Sequence, residues 1–341
     1  MHGGDIYRNE VDLDFSVNIN PLGMPKNVKK ALHEAVNLCE AYPDIKVEEL
    51  KKAIGTMIGC NPNSILCGNG ASELFLAITK AIRPKKALLP VPSFLGYEKA
   101  LLAVCKNIQY YYMREETHFA LEEDIMEQLT KEIDILFLAQ PNNPVGNMIS
   151  PALLRNICRK CKENNIVVII DECFIELTEY EGETGLELIK DYSNVIVVRA
   201  FTKSFAMPGV RLGYLICNHK GLYQCIENQL PEWNISILAQ MAGIVATKEI
   251  QYLRKSIELI KVEREYLMRE LRDLGIQAYN SETNFILLQT ESPIAKKLLE
   301  HRILIRDCCN FKGLHKGYYR IAIKQHEKNK ILIELLKIIK K

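Results

Sequence analysis

Five short runs of Ile, Val and Leu, at 64–66, 87–90, 133–138, 166–170 and 195–198, constrain the fold of this chain more than any other feature. Most are continuous rather than alternating, so the sheet they form is buried on both faces. The stretches between them include 71–83, 151–164 and 185–190, where apolar residues recur at helical spacing. Strand and helix in alternation predict an α/β chain with a mostly parallel sheet between helices. In open sheets of this kind ligands bind beyond the carboxyl ends of the strands. Those ends are where the chemistry is to be sought.

The remainder of the chain frames this unit. Helical periodicity over 25–38 and 46–58 is interrupted at Ala41-Tyr-Pro-Asp44, where the proline biases its predecessor away from helix. A long helical pattern covers 236–274, followed by short strands at 285–288, 303–305 and 318–323 and a closing helix over 326–339. The expected organisation is an N-terminal segment (1–30) serving the active site and a small domain, a large domain (31–228), and a small α+β domain (229–341). With 44 basic against 42 acidic residues, the net charge of +2 gives no field for nucleic acid or an anionic membrane. Neither a signal peptide nor a run of bilayer length is present, so the expected location is cytoplasmic. Eleven scattered cysteines fit a reducing compartment. Cys158-Arg-Lys-Cys161 has zinc-like spacing but sits in an apparent helix without a second pair, and no metal is expected.

Four polar clusters fall at the carboxyl ends of the apolar runs. Gly68-Asn-Gly-Ala-Ser-Glu73 leads from strand into helix, and glycine there lets backbone approach a ligand at a helix N-terminus, the outline of a phosphate cradle. It lacks the Gly-Lys-Ser/Thr of a Walker loop. Gln140-Pro-Asn-Asn-Pro-Val-Gly146 is a rigid turn with two side-chain amides, more than a structural turn ordinarily needs. Asp171 closes an apolar run; it either caps a turn or faces a protonated ring nitrogen. Lys203, between Thr202 and Ser204, is either a solvated loop lysine or a Schiff-base nucleophile, with Arg211 eight residues on as an anion clamp.

In this order and at these separations the four clusters resemble the fold-type I pyridoxal-phosphate enzymes of the class I/II aminotransferase group, over essentially the full length. The resemblance implies a large domain with a mostly parallel seven-stranded sheet and a smaller α+β domain. It implies pyridoxal 5′-phosphate bound covalently by Lys203, which also moves a proton. Asp171 would pair with the pyridine nitrogen and Asn143 donate to the ring's phenolic oxygen. Gly70, Ala71 and Ser72, with Thr202 and Arg211, would form the phosphate cup, and Phe94 would stack on the ring. Tyr42 would reach the cofactor phosphate of a partner subunit, implying a homodimer with shared sites. Arg320, in Tyr-Tyr-Arg-Ile-Ala-Ile, would hold the substrate α-carboxylate. One departure stands out: many members of the group have tyrosine where this chain has Phe174, which removes a donor to the phenolic oxygen.

The reaction is read from the two ends of the chain. His2-Gly-Gly4 with Asp14-Phe-Ser-Val-Asn-Ile-Asn-Pro-Leu-Gly23, and Ile305-Arg-Asp-Cys-Cys-Asn-Phe-Lys-Gly-Leu314, resemble the L-threonine-O-3-phosphate decarboxylases of cobalamin synthesis, and Phe174 fits them too. The resemblance implies decarboxylation of L-threonine O-3-phosphate to (R)-1-amino-2-propanol O-2-phosphate. The alternative is an aminotransferase acting on histidinol phosphate or a related amino acid with 2-oxoglutarate. Either substrate carries a phosphate, for which His2, Asn20, Arg306 and Lys324 are the candidate residues. A regulator built on the same fold is the non-enzymatic alternative, disfavoured because no DNA-binding domain precedes the first motif.

Overall fold

The computed structural model describes residues 3–180, 182 and 184–340. Its centre is a seven-stranded sheet whose order from one edge is Ile65–Gly68, Gly213–Cys217, Val195–Ala200, Val167–Asp171, Ile135–Ala139, Lys86–Val91 and Asn107–Tyr112. Gly213–Cys217 runs antiparallel to both neighbours and the other six strands are parallel to one another. The sheet is therefore mostly parallel, as its continuous apolar runs require.

Two of these strands had no such run. Asn107–Tyr112 lies at the sheet edge with only Tyr111 buried, so it has no need of a continuous apolar sequence. Gly213–Cys217 is fully buried but short, and it opens on a glycine that packs against the backbone of Gly70 and Ala71.

Residues from the two faces of the sheet enter separate cores. One contains Leu136, Val168, Ile170 and Val197 together with helix Pro151–Glu163, whose Cys158 and Cys161 are fully buried within it. The other contains Phe75, Phe137, Ile169 and Val198, with helices Ala71–Ile82 and Leu95–Leu102.

Beyond the sheet, the helical pattern over 236–274 forms two helices, Ile237–Ala246 and Ile250–Asp273. Neither Gly nor Pro marks the break. Thr247 Oγ1 instead donates to the Ile244 carbonyl at 2.8 Å, the local back-bonding by which threonine competes with a continuing helix. Ile237–Ala246 packs on Lys26–Val36 and Glu48–Ile58.

A second, four-stranded antiparallel sheet has the order Arg306–Asp307, Tyr318–Ala322, Phe285–Gln289 and Gln277–Ala278. Long helix Ile250–Asp273 and closing helix His326–Lys340 contribute Leu267, Leu271, Leu332 and Leu336 to its core. The N-terminal segment is sewn to this region: Leu13–Asp14 pairs in parallel with Ile303–Leu304, and Phe15 O accepts from Ala322 N at 2.8 Å. The next residues, Ser16 to Asn18, thereby reach the carboxyl edge of the large sheet, where the cavity opens.

Candidate active site

A cavity of about 240 Å³ lies where the strands Ile135–Ala139, Val167–Asp171 and Val195–Ala200 end. Of the residues singled out from sequence it is lined by Ala71, Ser72, Phe94, Asn143, Asp171, Phe174, Thr202, Lys203, Arg211, Arg306 and Arg320. Its cationic side chains are Lys203, Arg211, Arg306 and Arg320, and its one carboxylate among the described residues is Asp171. Such a surplus of positive charge suits a polyanionic ligand.

Lys203 sits in the helical turn Phe201–Ser204, directly after a strand. Burial, and then the charge of Arg320, bring its amine down to about 8. An amine so placed is neutral often enough near physiological pH to attack a carbonyl. Its turn is fixed from below: Ser204 Oγ donates to Glu176 at 2.9 Å, and Lys203 O accepts from Asn20 N at 3.1 Å.

Asp171 is held by the Tyr97 hydroxyl and by Cys173. The Cys173 N–H reaches one carboxylate oxygen at 3.0 Å and the Tyr97 hydroxyl reaches the other at 2.5 Å. Burial pushes this carboxyl up from its ordinary value and the donors pull it back. Next to it Glu172, fully buried, accepts from Arg199 Nε at 2.9 Å and Nη2 at 2.7 Å, and from the Gly185 N–H at 2.6 Å.

At the other wall Gly70 (φ +81°) caps helix Ala71–Ile82, with Arg211 so close that a Cβ on Gly70 would lie 2.4 Å from Nη2. Arg211 itself adopts φ +60°, sparsely populated for a residue with a side chain. Helix N–H groups and guanidinium thus converge on one spot, the arrangement that holds a phosphate. Gly70→Ala is expected to weaken cofactor binding about tenfold or more, from strain at positive φ and displacement of Arg211. Fluorescence titration of cofactor-free protein with pyridoxal 5′-phosphate reads it.

Arg320 and Arg306 stand directly opposite one another on adjacent antiparallel strands, 7% and 5% exposed. Like charges so placed repel unless a ligand's anions offset them. Burial lowers both, Arg320 to about 10. Arg320 donates through Nη1 to Asn143 Oδ1 and through Nη2 to Ser16 O (3.0 Å), while its buried Nε has no protein partner. Asn143, with its oxygen engaged, keeps its NH₂ for a ligand. Arg306 donates to Asp307 O and Asn310 Oδ1, both at 2.8 Å, and lies over the Phe311 ring. Phe174 packs edge-on against Phe285.

Other expectations fall differently. Asn142 is structural: its amide donates to Pro92 O and its oxygen accepts from Val145 N, so the turn uses one of its two asparagines for itself. Asn20 does not line the cavity, contrary to its candidacy for substrate phosphate. Its amide is taken up by Ser204 O (2.8 Å) and Ser256 Oγ (2.7 Å) and its oxygen by Leu22 N. Lys324 is half-buried off the cavity wall, its backbone N–H bonded to Asn329. Tyr42 is 80% exposed, tilted against Trp233, and is not among the residues that line the cavity. His2 lies outside the described residues.

Among the lining residues that the sequence did not single out, two bring polar groups that bear on the site. Asn18, 2% exposed with Oδ1 lacking a protein partner, faces the cavity two residues before the candidate that does not. Tyr97 follows Phe94 by three residues at the start of Leu95–Leu102, which places both on one side of the first helical turn. That spacing was the available signal.

A half-buried lysine with a lowered amine pKa, a strand-end carboxylate and a helix N-terminus backed by arginine fit the aldehyde, ring nitrogen and phosphate of pyridoxal 5′-phosphate. They define a lysine-anchored cofactor enzyme. Residues 10–336 match the family described as aminotransferase class I and II, and the chain belongs to that family. It is a pyridoxal-phosphate-dependent enzyme. A provisionally named threonine-phosphate decarboxylase of Caldanaerobacter subterraneus subsp. tengcongensis is 39% identical, over 98% of this chain and 93% of the other. The threonine-phosphate decarboxylase of Salmonella typhimurium is 35% identical, over 95% and 90%. Among solved structures, the histidinol-phosphate aminotransferase of Clostridium acetobutylicum aligns with TM-score 0.90 at 34% identity, covering 96% of this chain and 99% of that one.

Proposed function

We propose that the protein decarboxylates L-threonine O-3-phosphate to (R)-1-amino-2-propanol O-2-phosphate, a step of cobalamin synthesis. The carrying observation is the pair of buried, opposed guanidiniums, Arg320 and Arg306, on the cavity wall. Threonine phosphate brings a carboxylate and a phosphate, one anion for each. Histidinol phosphate has no carboxylate for Arg320, and in that reaction only the second substrate, 2-oxoglutarate, would bring one. The threonine-phosphate decarboxylases at 35% and 39% identity support the same reading.

In this reading Asp171 would hold the ring nitrogen cationic, Asn143 would donate to the phenolic oxygen, Gly70, Ala71, Ser72, Thr202 and Arg211 would hold the cofactor phosphate, and Phe94 would pack against the ring. The bound cofactor supplies an electron sink for the bond that breaks. Arg320 would grip the substrate carboxylate, and Arg306 with Asn18 the phosphate, fixing the orientation of the bond to the carboxylate. With the electrons of the broken bond taken up by the cofactor as carbon dioxide leaves, Lys203 Nζ would be placed to return a proton to the α-carbon. Tyr42 reaches the site of a second copy in a homodimer, and the enzyme works in the cytoplasm. The chain divides into an N-terminal segment, a large domain from residue 31 and a small one from residue 229.

The test is direct. Incubation with threonine phosphate is expected to release carbon dioxide, and Arg306→Met to lower kcat/KM about ten- to a hundredfold, the cost of one charged hydrogen-bonding partner. Glutamate formed from histidinol phosphate and 2-oxoglutarate, without carbon dioxide from threonine phosphate, would overturn the assignment.

A further inference from the structure

We infer that Tyr97 is a positioning residue that acts through Asp171, keeping that carboxylate ionised and thereby the proton on the cofactor's ring nitrogen. The inference rests on the cofactor site and not on which substrate it serves. Tyr97 comes from helix Leu95–Leu102, an element apart from those that carry Asp171 and Lys203. It is 1% exposed, and its ring is stacked on Phe137 at 5.1 Å and met edge-on by Phe75 and Phe94. A phenol clamped on three sides cannot swing away, and its hydroxyl is fixed 2.5 Å from Asp171 Oδ2. Tyr97 and Asp171 both line the cavity.

The direction of the effect follows from proton affinities. A buried carboxylate facing a pyridine nitrogen shares one proton with it, and burial favours the neutral arrangement in which the carboxyl keeps that proton. Donors to the carboxylate favour the charged arrangement, with the proton on nitrogen. The groups facing Asp171 are the Tyr97 hydroxyl, the Cys173 N–H and thiol, and its chain neighbour Glu172, which disfavours ionisation. Glu172 is itself engaged by Arg199. Tyr97 is accordingly the side-chain oxygen donor on whose presence the charged arrangement depends. Burial and the adjacent carboxylate hold its own phenol well above the usual range, so it stays a donor at every working pH.

Tyr97→Phe keeps the aromatic stack and deletes only the donor. In holoenzyme reconstituted with pyridoxal 5′-phosphate carrying ¹⁵N in the ring, the nitrogen resonance is expected to move toward unprotonated pyridine. The kcat is expected to fall about ten- to a hundredfold, with KM changed less than about twofold. A purely structural Tyr97 predicts the opposite: phenylalanine, which fills the same space, leaves the resonance where it was, and that result overturns the inference. Should the phenylalanine protein not fold, 3-fluorotyrosine at position 97 keeps shape and hydroxyl while strengthening the donor. The resonance is then expected to stay at, or move further toward, the protonated position. A move toward neutral pyridine overturns the inference.

Discussion

Lys203→Ala is expected to abolish the absorbance of the lysine-bound cofactor and to reduce turnover by about 10⁴-fold or more. The residue serves twice, as the amine that binds the cofactor and as a proton carrier, and a positioned proton-transfer group alone contributes about 10²–10⁴-fold. Absorbance spectra with single-turnover assays read both losses, and persistence of either would refute the assignment of Lys203. Its titration gives an independent check. Only the neutral amine attacks, and with its value brought down to about 8 by burial first and by Arg320 next, cofactor capture should climb as pH approaches about 8 and level off above. The linkage has a definite sign. The folded value lies below the ordinary 10.5, so between about 8 and 10.5 the unfolded chain binds more protons than the folded one. This residue therefore opposes folding at neutral pH, and the cofactor-free protein gains stability from it as pH rises through that window.

The largest effect on stability is expected behind the site, at Glu172→Gln. Glu172 is fully buried against Arg199, and Arg199 also lies 3.7 Å from Glu176. Neutralising Glu172 leaves a guanidinium inside the protein with only the more distant carboxylate, and breaking buried pairs of this kind costs about 3–5 kcal/mol. A lowered denaturation midpoint by circular dichroism is the readout. If uncompensated charge is the cause, the double change Glu172→Leu with Arg199→Met should regain most of the loss; equal instability in the double variant would assign the cost to packing. Activity should fall in parallel. Glu172 directly follows Asp171, Arg199 lies on the strand that leads to Lys203, and Ser204 is tied to Glu176. The pair thus locks the two strand ends on which the cofactor depends.

The large sheet was readable because burial on both faces demands continuous apolar runs, and the clusters at its ends could be picked out as interruptions of that rule. Asn107–Tyr112 escaped because an edge strand is free of it. Lys203, Asp171, Asn143 and Arg211 were found as polar residues at the ends of buried segments, and all four line the cavity. The N-terminal loop was harder. Asn18 and Asn20 share one motif and one chemistry, and which of them faces a ligand depends on Ser204 and Ser256, far away in the chain. Composition cannot choose between them; the knot around Asn20 does. Asn142 and Asn143 pose the same problem within a single turn, resolved by the Pro92 carbonyl and Arg320. Tyr97 was hidden because its partner is a carboxylate 74 residues further on.

That knot also has a consequence for how the protein comes into being at the ribosome. The Asn20 amide needs Ser204 and Ser256, and the loop oxygen at Ser16 waits for Arg320, 304 residues downstream. Contacts so distant in sequence are among the slowest to form. The central sheet can be synthesised and collapse early, while the cavity is closed only when the last strand is delivered to the first loop. A chain interrupted before residue 320 would hold Lys203 without the Arg320 charge and without the full enclosure that lower its amine, so its lysine would stay protonated and slow to take up the cofactor.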